Sequence, residues 1–152
     1  MTVPSVVPCR GGAWAPGTMV ADAMLRRPKV CEPSTTVGQA RRMFGDDHVH
    51  ALLVVAADVL LAVVERADLE GAPDAAPAAR CGQLGDRVVG PDADLHETWH
   101  AMTGRRLAVV DVRGHLLGLL CLKRSRRGFC TAEDVAARER ERRLAGQPRP
   151  VA

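Results

Sequence analysis

The sequence predicts an α/β (α+β) fold made of two pseudo-symmetric motifs, each a short sheet with flanking helices, plus a C-terminal helix. Residues 18–70 and 80–126 carry the same signals in the same order: a short apolar strand ending at a proline, a capped helix, two adjacent apolar strands and a charged turn. Internal repetition of this kind decides an architecture before any single element does. Both helices also open on the same capping pattern, and the apolar runs have strand length, not helix length. A unit this small cannot bury its own apolar face, so the two copies must pack together with a cleft between them.

The elements follow in order. Val30-Cys31-Glu32-Pro33 and Val88-Val89-Gly90-Pro91 are the opening strands, each stopped by its proline. Thr36 with Gln39 and Asp94 with Glu97 are N-cap and N3 partners, so the two helices start at equivalent places. Residues 52–55, 60–64, 107–110 and 116–120 are continuous apolar runs, the pattern of strands covered on both faces. A third pair, Thr131 with Asp134, opens a helix as far as Leu144 whose alternating charges make it a solvated appendage.

These elements divide the chain into an N-terminal arm (1–17), motif 1 (18–70), a linker (71–79), motif 2 (80–126), the C-terminal helix (127–145) and a tail (146–152). The arm is rich in proline and glycine, and Trp14 is expected to pin it to the core. Pro73 and Pro77 among small residues mark the linker. The 152 residues, 47% hydrophobic and 26% charged, fit one compact domain or two half-domains. No apolar run approaches the roughly 20 residues that span a bilayer, so a soluble, cytoplasmic protein without membrane contact is expected. Five cysteines at 9, 31, 81, 121 and 130 form no CxxC pair and are odd in number, which reads as reduced thiols. Aromatic content of 3% with no tyrosine leaves almost no stacking platform for single-stranded nucleic acid. Net charge is +3, but residues 121–152 hold nine basic and four acidic residues, so the positive excess belongs to that end of the chain.

The β-α-β-β-α order met twice, with Asp22-Ala23-Met24 ahead of the first strand, Pro33 after it, the Leu-x-Val-Val element at 52–55 and the acidic ending at Asp68, resembles the cystathionine β-synthase (CBS) domain, here as a tandem pair or Bateman module. The resemblance covers residues 18–126 and implies a regulatory binding module, not an enzyme, that requires no cofactor. It implies an adenosine-containing ligand (AMP, ADP, ATP or S-adenosylmethionine) in the cleft between the copies. Such modules set adenine among apolar strand residues, an acidic side chain on the ribose hydroxyls, and a Ser or Thr three residues earlier near phosphate. Carried over, Val30, Cys31, Ala51 and Leu52 surround the base, Asp68 takes the ribose, and Glu65 stands at the hydroxyl position. A carboxylate there repels phosphate, which favours adenosine, AMP or S-adenosylmethionine over ATP. In the second copy Cys121 and Arg124 occupy the two positions, and arginine can only donate. The second cleft, centred on Val89, Leu107 and Cys121, is therefore expected to be empty or to hold only a phosphate through Lys123 and Arg124. Modules of this family pair through their helical faces, and Val37, Met43, Leu95, Trp99 and Met102 supply the apolar patch for a homodimer that signals to a protein partner. The alternative is a pair that has lost its ligand and serves as a dimeric interaction module.

His96-Glu97-Thr98-Trp99-His100 matches H-E-x-x-H, the spacing of a zinc metalloprotease. Three observations set it aside, so no metal is expected. The equivalent segment of motif 1, Gly38-Gln39-Ala40-Arg41-Arg42, has no ligands; Glu97 is already the N3 partner of Asp94; and no third ligand follows at metzincin spacing. His48, His50 and His115 fall at strand edges and turns, where a polar rim role is the default. The basic run Lys123-Arg124-Ser125-Arg126-Arg127 lies near the second cleft in the family geometry, and nucleic-acid binding is not expected from it without a recognisable DNA-reading motif.

Overall fold

The computed structural model describes residues 14–47 and 49–131, with seven further positions between 133 and 144. Expectations for residues 1–13, for Cys9, for His48 and for the tail 146–152 lie outside the described residues. Motif 1 contains α1 (Val20–Ala23), β1 (Val30–Cys31), α2 (Val37–Met43), β2 (Ala51–Ala56) and β3 (Val59–Glu65), ending in a 3-10 turn at Arg66–Leu69. Motif 2 contains β4 (Val88–Val89), α3 (Leu95–Ala101), β5 (Arg106–Val110) and β6 (Leu116–Cys121). Each motif forms a three-stranded sheet, β1-β2-β3 and β4-β5-β6, with the first pair parallel and the second antiparallel. A parallel pair needs a crossover, and α2 and α3 supply it. Thr36 and Gln39 complete a reciprocal capping box on α2 at 3.1 and 2.9 Å. Asp94 accepts the Glu97 amide at 2.9 Å on α3. Thr131 and Asp134 form a further reciprocal box at 2.9 and 3.1 Å, and the described positions after it are helical.

Each sheet is extended by a segment from the other end of the pseudo-dyad. Leu25, ahead of β1, exchanges both backbone hydrogen bonds with Leu119 of β6 at 2.8 and 2.9 Å. Gln83, ahead of β4, does the same with Val63 of β3 at 3.1 and 3.0 Å. The helix starts are crossed in the same way: Val20 bonds Ala93 and Leu95 bonds Thr18, while Ala78 bonds Thr35 and Val37 bonds Ala76. Asp94 follows Thr36 by 58 residues (94 − 36), and Gln83 follows Leu25 by the same interval (83 − 25). The segment expected as a linker is therefore structural from Ala76 onward. Ala78 is fully buried and opens a 3-10 turn, because small side chains let this stretch lie against the start of α2. The preceding residues are tied down by Arg41, whose guanidinium donates to the carbonyls of Leu69 and Ala72 and pairs with Asp74.

The strands bury both faces, as their continuous apolar runs require, with a register shift in each hairpin. Leu52, Val54, Ala62 and Val64 face α2 in one cluster, and Leu107, Val109, Leu117 and Leu120 face α3 in a second. Leu53, Leu60, Val63 and Ala108, with Val110, Leu116 and Leu119, form a third cluster between the sheets. The hairpin tips also join across the repeat, Leu60 to Gly114 and Leu116 to Asp58, each at 2.9 Å. Trp14 packs on Phe129 and Trp99 at centroid distances of 5.2 and 6.1 Å, fixing the start of the described chain to motif 2. The apolar patch read as a dimer face is largely internal. Val37, Leu95 and Met102 are buried and Trp99 packs against the motif 2 core, so of the five only Met43 remains exposed.

The crossed segments approach very closely. A Cβ placed on Gly118 would meet the Leu25 carbonyl oxygen at 2.6 Å and the Met24 sulfur at 2.7 Å, whereas one on Gly90 meets nothing within 4 Å. Gly118→Ala is expected to lower the unfolding free energy by about 1–3 kcal/mol in urea titrations. Gly90→Ala should stay within about 0.5 kcal/mol of the parent. Equal midpoints for the two variants would contradict the close crossing.

Candidate functional site

Three charged side chains join the motifs at the end of β3. Glu65 is the last residue of that strand, and the following 3-10 turn brings Asp68 back so that its Oδ2 accepts the Glu65 amide at 2.7 Å. Arg87, just ahead of β4, places its guanidinium across both carboxylates. It donates from Nη1 to Asp68 Oδ2 and from Nη2 to Asp68 Oδ1 at 3.1 Å, pairs with Glu65 Oε1 at 3.0 Å, and reaches the Val63 carbonyl at 2.8 Å. The side chains of Arg87 and Asp68 are only 12% and 16% exposed. Burial pushes the Asp68 carboxyl up, but the Arg87 hydrogen bonds, the Glu65 amide and the Arg87 charge outweigh it and hold it below its ordinary value. Arg87 is raised in turn, first by its hydrogen bond to Asp68. An ionised carboxylate offers about four acceptor positions, and three on Asp68 are taken from within the chain.

Beside this clamp lies a cleft of about 440 Å³, within the usual range for small-molecule sites. Val88, Val89, Met102 and Leu107 give it an apolar floor, and Thr98 and Thr103 add hydroxyls. Glu65, Asp86, Arg87 and Arg106 supply its charges. The repeat relates the α3 residues of the cleft to residues of α2. Thr98 and Met102 of α3 correspond, at the 58-residue interval, to Ala40 and Phe44 of α2. Phe44 is 3% exposed, sits in the motif 1 core and lies under the Arg66 guanidinium at 5.4 Å. A larger depression of about 600 Å³ lies elsewhere, around α2, lined by Glu32, Ser34, Thr35, Gln39, Arg42 and Met43.

Positive charge gathers where β2 and β5 begin. His50 is pushed down to about 4, first by burial and then by Arg106, Arg105, Arg66 and Arg124. Four guanidiniums from both motifs thus act on one imidazole that stays neutral at pH 7. After β6 the chain departs from motif 1. Where motif 1 turns directly into its 3-10 helix, motif 2 inserts a hairpin, closed by Leu122 against Phe129 and by the Cys130 amide on the Cys121 carbonyl at 2.7 Å. The basic run occupies this hairpin. Trp99 Nε1 donates to the Arg126 carbonyl and Arg126 Nη2 to the Met102 carbonyl, both at 2.8 Å, so the hairpin rests on α3 beside the cleft.

The sequence-predicted site residues are thus brought together unevenly. Val89, Leu107 and Glu65 line the cleft beside the clamp. Cys121 is 5% exposed in the core, and Lys123 and Arg124 lie in the hairpin. For the first cleft, Val30 is 51% exposed on an edge strand, Cys31 is half-buried with its thiol pushed up by burial, Ala51 is half-buried, and Leu52 belongs to the core. Arg87, Thr98 and Met102 also line the cleft, and no local motif marks them; the interval of 58 between the capped helices is the signal that pairs the last two with Ala40 and Phe44. Thr131 and Asp134 were read only as a helix start. They stand in the relation of Glu65 to Asp68, an N-cap residue with its N3 carboxylate, displaced by the hairpin. On α3 His96 and His100 meet through Nε2 at 2.9 Å, and no group of three metal-ligating side chains occurs among the described residues. The hydrogen bonds of α3 show the Glu97 amide capped by Asp94.

Arg87→Ala leaves the largely buried Asp68 carboxylate without its counter-charge and should cost about 3 kcal/mol of stability by denaturant titration. Asp68 is depressed, so its contribution is complete above the ordinary value of 3.8 and disappears as pH falls through the lower folded value. Asp68→Asn should therefore flatten the acid limb of the stability profile. An unchanged acid limb would remove Asp68 from the clamp.

Comparison with known proteins places this geometry. Residues 20–73 match the family model of the CBS domain. CBSX2 in complex with AMP is 25% identical, with a TM-score of 0.60 over 83% of this chain and 99% of that one. CBSX2 from Arabidopsis thaliana is 24% identical, with a TM-score of 0.57 over 84% and 98% of the two chains. The cytosolic domain of the Mg2+ channel MgtE in complex with ATP is 21% identical, with a TM-score of 0.56 over 78% of this chain and 48% of that one. No curated protein matches the sequence. No helix among the described residues is long and apolar enough to cross a membrane. Residues 20–73 thus match a CBS domain, and the two motifs together share the fold of CBS-pair proteins.

Proposed function

We propose that this protein is a non-enzymatic regulatory CBS pair that takes one adenosine-containing ligand per chain, in the cleft between β4, α3 and β5. The observation that carries the reading is the contrast between the two sides. The motif 2 side offers an apolar floor with hydroxyls and charged groups at its rim, while at the end of motif 1 Arg87 occupies Asp68, the carboxylate expected to take the ribose. This reverses the asymmetry expected from the sequence, which gave the ligand to Asp68. The complexes of CBSX2 with AMP and of the MgtE cytosolic domain with ATP support an adenosine nucleotide as the ligand class. Glu65 and Asp86 also line the cleft, so a triphosphate meets carboxylate repulsion that a single phosphate turned toward Arg106 avoids. AMP or S-adenosylmethionine is the preferred ligand.

Thermal-shift and calorimetric titrations with AMP, ADP, ATP and S-adenosylmethionine test this, because a ligand that binds only the folded chain raises its melting temperature. AMP or S-adenosylmethionine should give the largest shift with one site per chain. Gly104→Trp, at a lining position with open space beyond its Cα, should abolish the shift while leaving the free chain within about 0.5 kcal/mol of the parent. Arg106→Ala should weaken AMP by about 1.5–3 kcal/mol, the range for a hydrogen bond to a charged group. If none of the four ligands binds, the pair acts as an interaction module instead.

His50 provides an independent reading. Its imidazole should titrate near 4 by NMR in the free protein, and a phosphate seated beside Arg106 should move that value upward by neutralising the surrounding charge. Its folded value is depressed, so stability falls as pH drops from the ordinary 6.5 toward 4, and His50→Gln should remove that slope. A histidine that titrates at 6.5 in the free protein would contradict the cationic cluster.

A further inference from the structure

Cys121 ends β6, and Cys130 lies directly opposite it across the inserted hairpin, one step outward from the Leu122–Phe129 pair. Their sulfur atoms are 3.2 Å apart, and both residues are buried, at 5% and 3% exposure. Directly opposed residues of antiparallel strands have Cα atoms about 4.5–5.5 Å apart, inside the about 4.4–6.8 Å that a disulfide spans. Closing the bond therefore needs a small rotation of two side chains and no displacement of the backbone. The other described cysteines, Cys31 and Cys81, are partly buried members of the motif 1 core cluster, away from this hairpin.

We propose that Cys121 and Cys130 form a reversible redox modification site, oxidised to an intramolecular disulfide by a low-molecular-weight disulfide such as oxidised glutathione. In the first step one cysteine, as thiolate, attacks a sulfur of the oxidant RSSR. The RS–SR bond breaks, a mixed disulfide forms, and the departing thiolate takes up the proton the cysteine released. In the second step the other cysteine attacks the protein sulfur of the mixed disulfide and expels the second RSH. Overall two S–H bonds of the protein become one S–S bond, and one RSSR is reduced to two RSH. Burial gates the reaction through opening of the hairpin, which is held at its mouth by the Lys123 amide on the Gly128 carbonyl at 2.8 Å.

The bond would fasten the base of the element that carries Lys123, Arg124, Arg126 and Arg127. Arg126 holds the carbonyl of Met102, a cleft-lining residue, and Thr131 with Asp134 opens the helix just beyond Cys130. Any effect on ligand binding rests on the proposed function, whereas the disulfide itself does not.

The full chain is incubated with oxidised glutathione at pH 8, alkylated in denaturant and digested. The parent chain should lose about 2 Da, keep three alkylatable cysteines of its five, and yield a peptide joining Cys121 to Cys130. Cys130→Ser should lose this change and retain at most a glutathione adduct. In the parent, trypsin cleavage within 123–127 should slow several-fold on oxidation and recover with dithiothreitol. Five alkylatable cysteines after oxidation, two separate glutathione adducts, or a bond to any other cysteine would overturn the assignment. So would tryptic cleavage unaffected by oxidation.

Discussion

The exchange of segments across the pseudo-dyad, Leu25 on Leu119 and Gln83 on Val63, is the constraint on which the rest of the structure depends. A three-stranded sheet whose first strand has two residues exposes long unpaired edges and one apolar face. Here each sheet takes its extra edge partner from the segment ahead of the opposite motif. The same crossing places Val20 at the start of α3 and Ala78 at the start of α2, both fully buried. The motifs are thus two halves of one cooperative unit, and a change in one reaches the other through backbone hydrogen bonds as well as through the apolar layer between the sheets.

The exchange also sets the charges of the site. Gln83 must lie along β3, so Arg87, four residues on, arrives at the end of that strand beside Glu65 and Asp68. Breaking such a partly buried pair on one side leaves an uncompensated charge, so the clamp holds the motifs in register more than it adds net stability. Its consequence is a structural asymmetry: Asp68 is drawn into the scaffold by Arg87, while Thr98 and Met102 of α3 line the cleft of motif 2.

The strands and the two capped helices were legible in the sequence because each rests on local signals, and the pairing of the motifs because those signals repeat in the same order. Apolar runs of strand length, Thr36 and Asp94 as N-caps, and prolines behind β1 and β4 act within a few residues. What could not be read depends on contacts between distant residues. Ala76 and Ala78 look like linker because their role is to be small where α2 docks, and nothing nearby reveals the docking. Val37, Leu95 and Met102 suggested a surplus for dimerisation only because the size of the core they enter was unknown. Asp68 stands at the end of motif 1, but its partner Arg87 lies 19 residues on, ahead of β4, where no local pattern links the two. The hairpin at 122–129 shifted the Thr131–Asp134 pair out of alignment, so a position-by-position transfer stopped at Cys121 and Arg124.

The most direct test of this account is a crystal structure of the chain grown with AMP. The base is predicted against Val89 and Leu107, with the phosphate turned toward Arg106 and Asp68 still held by Arg87. A nucleotide bound instead at Val30 and Cys31, with its ribose on Asp68 and Arg87 displaced, would contradict it.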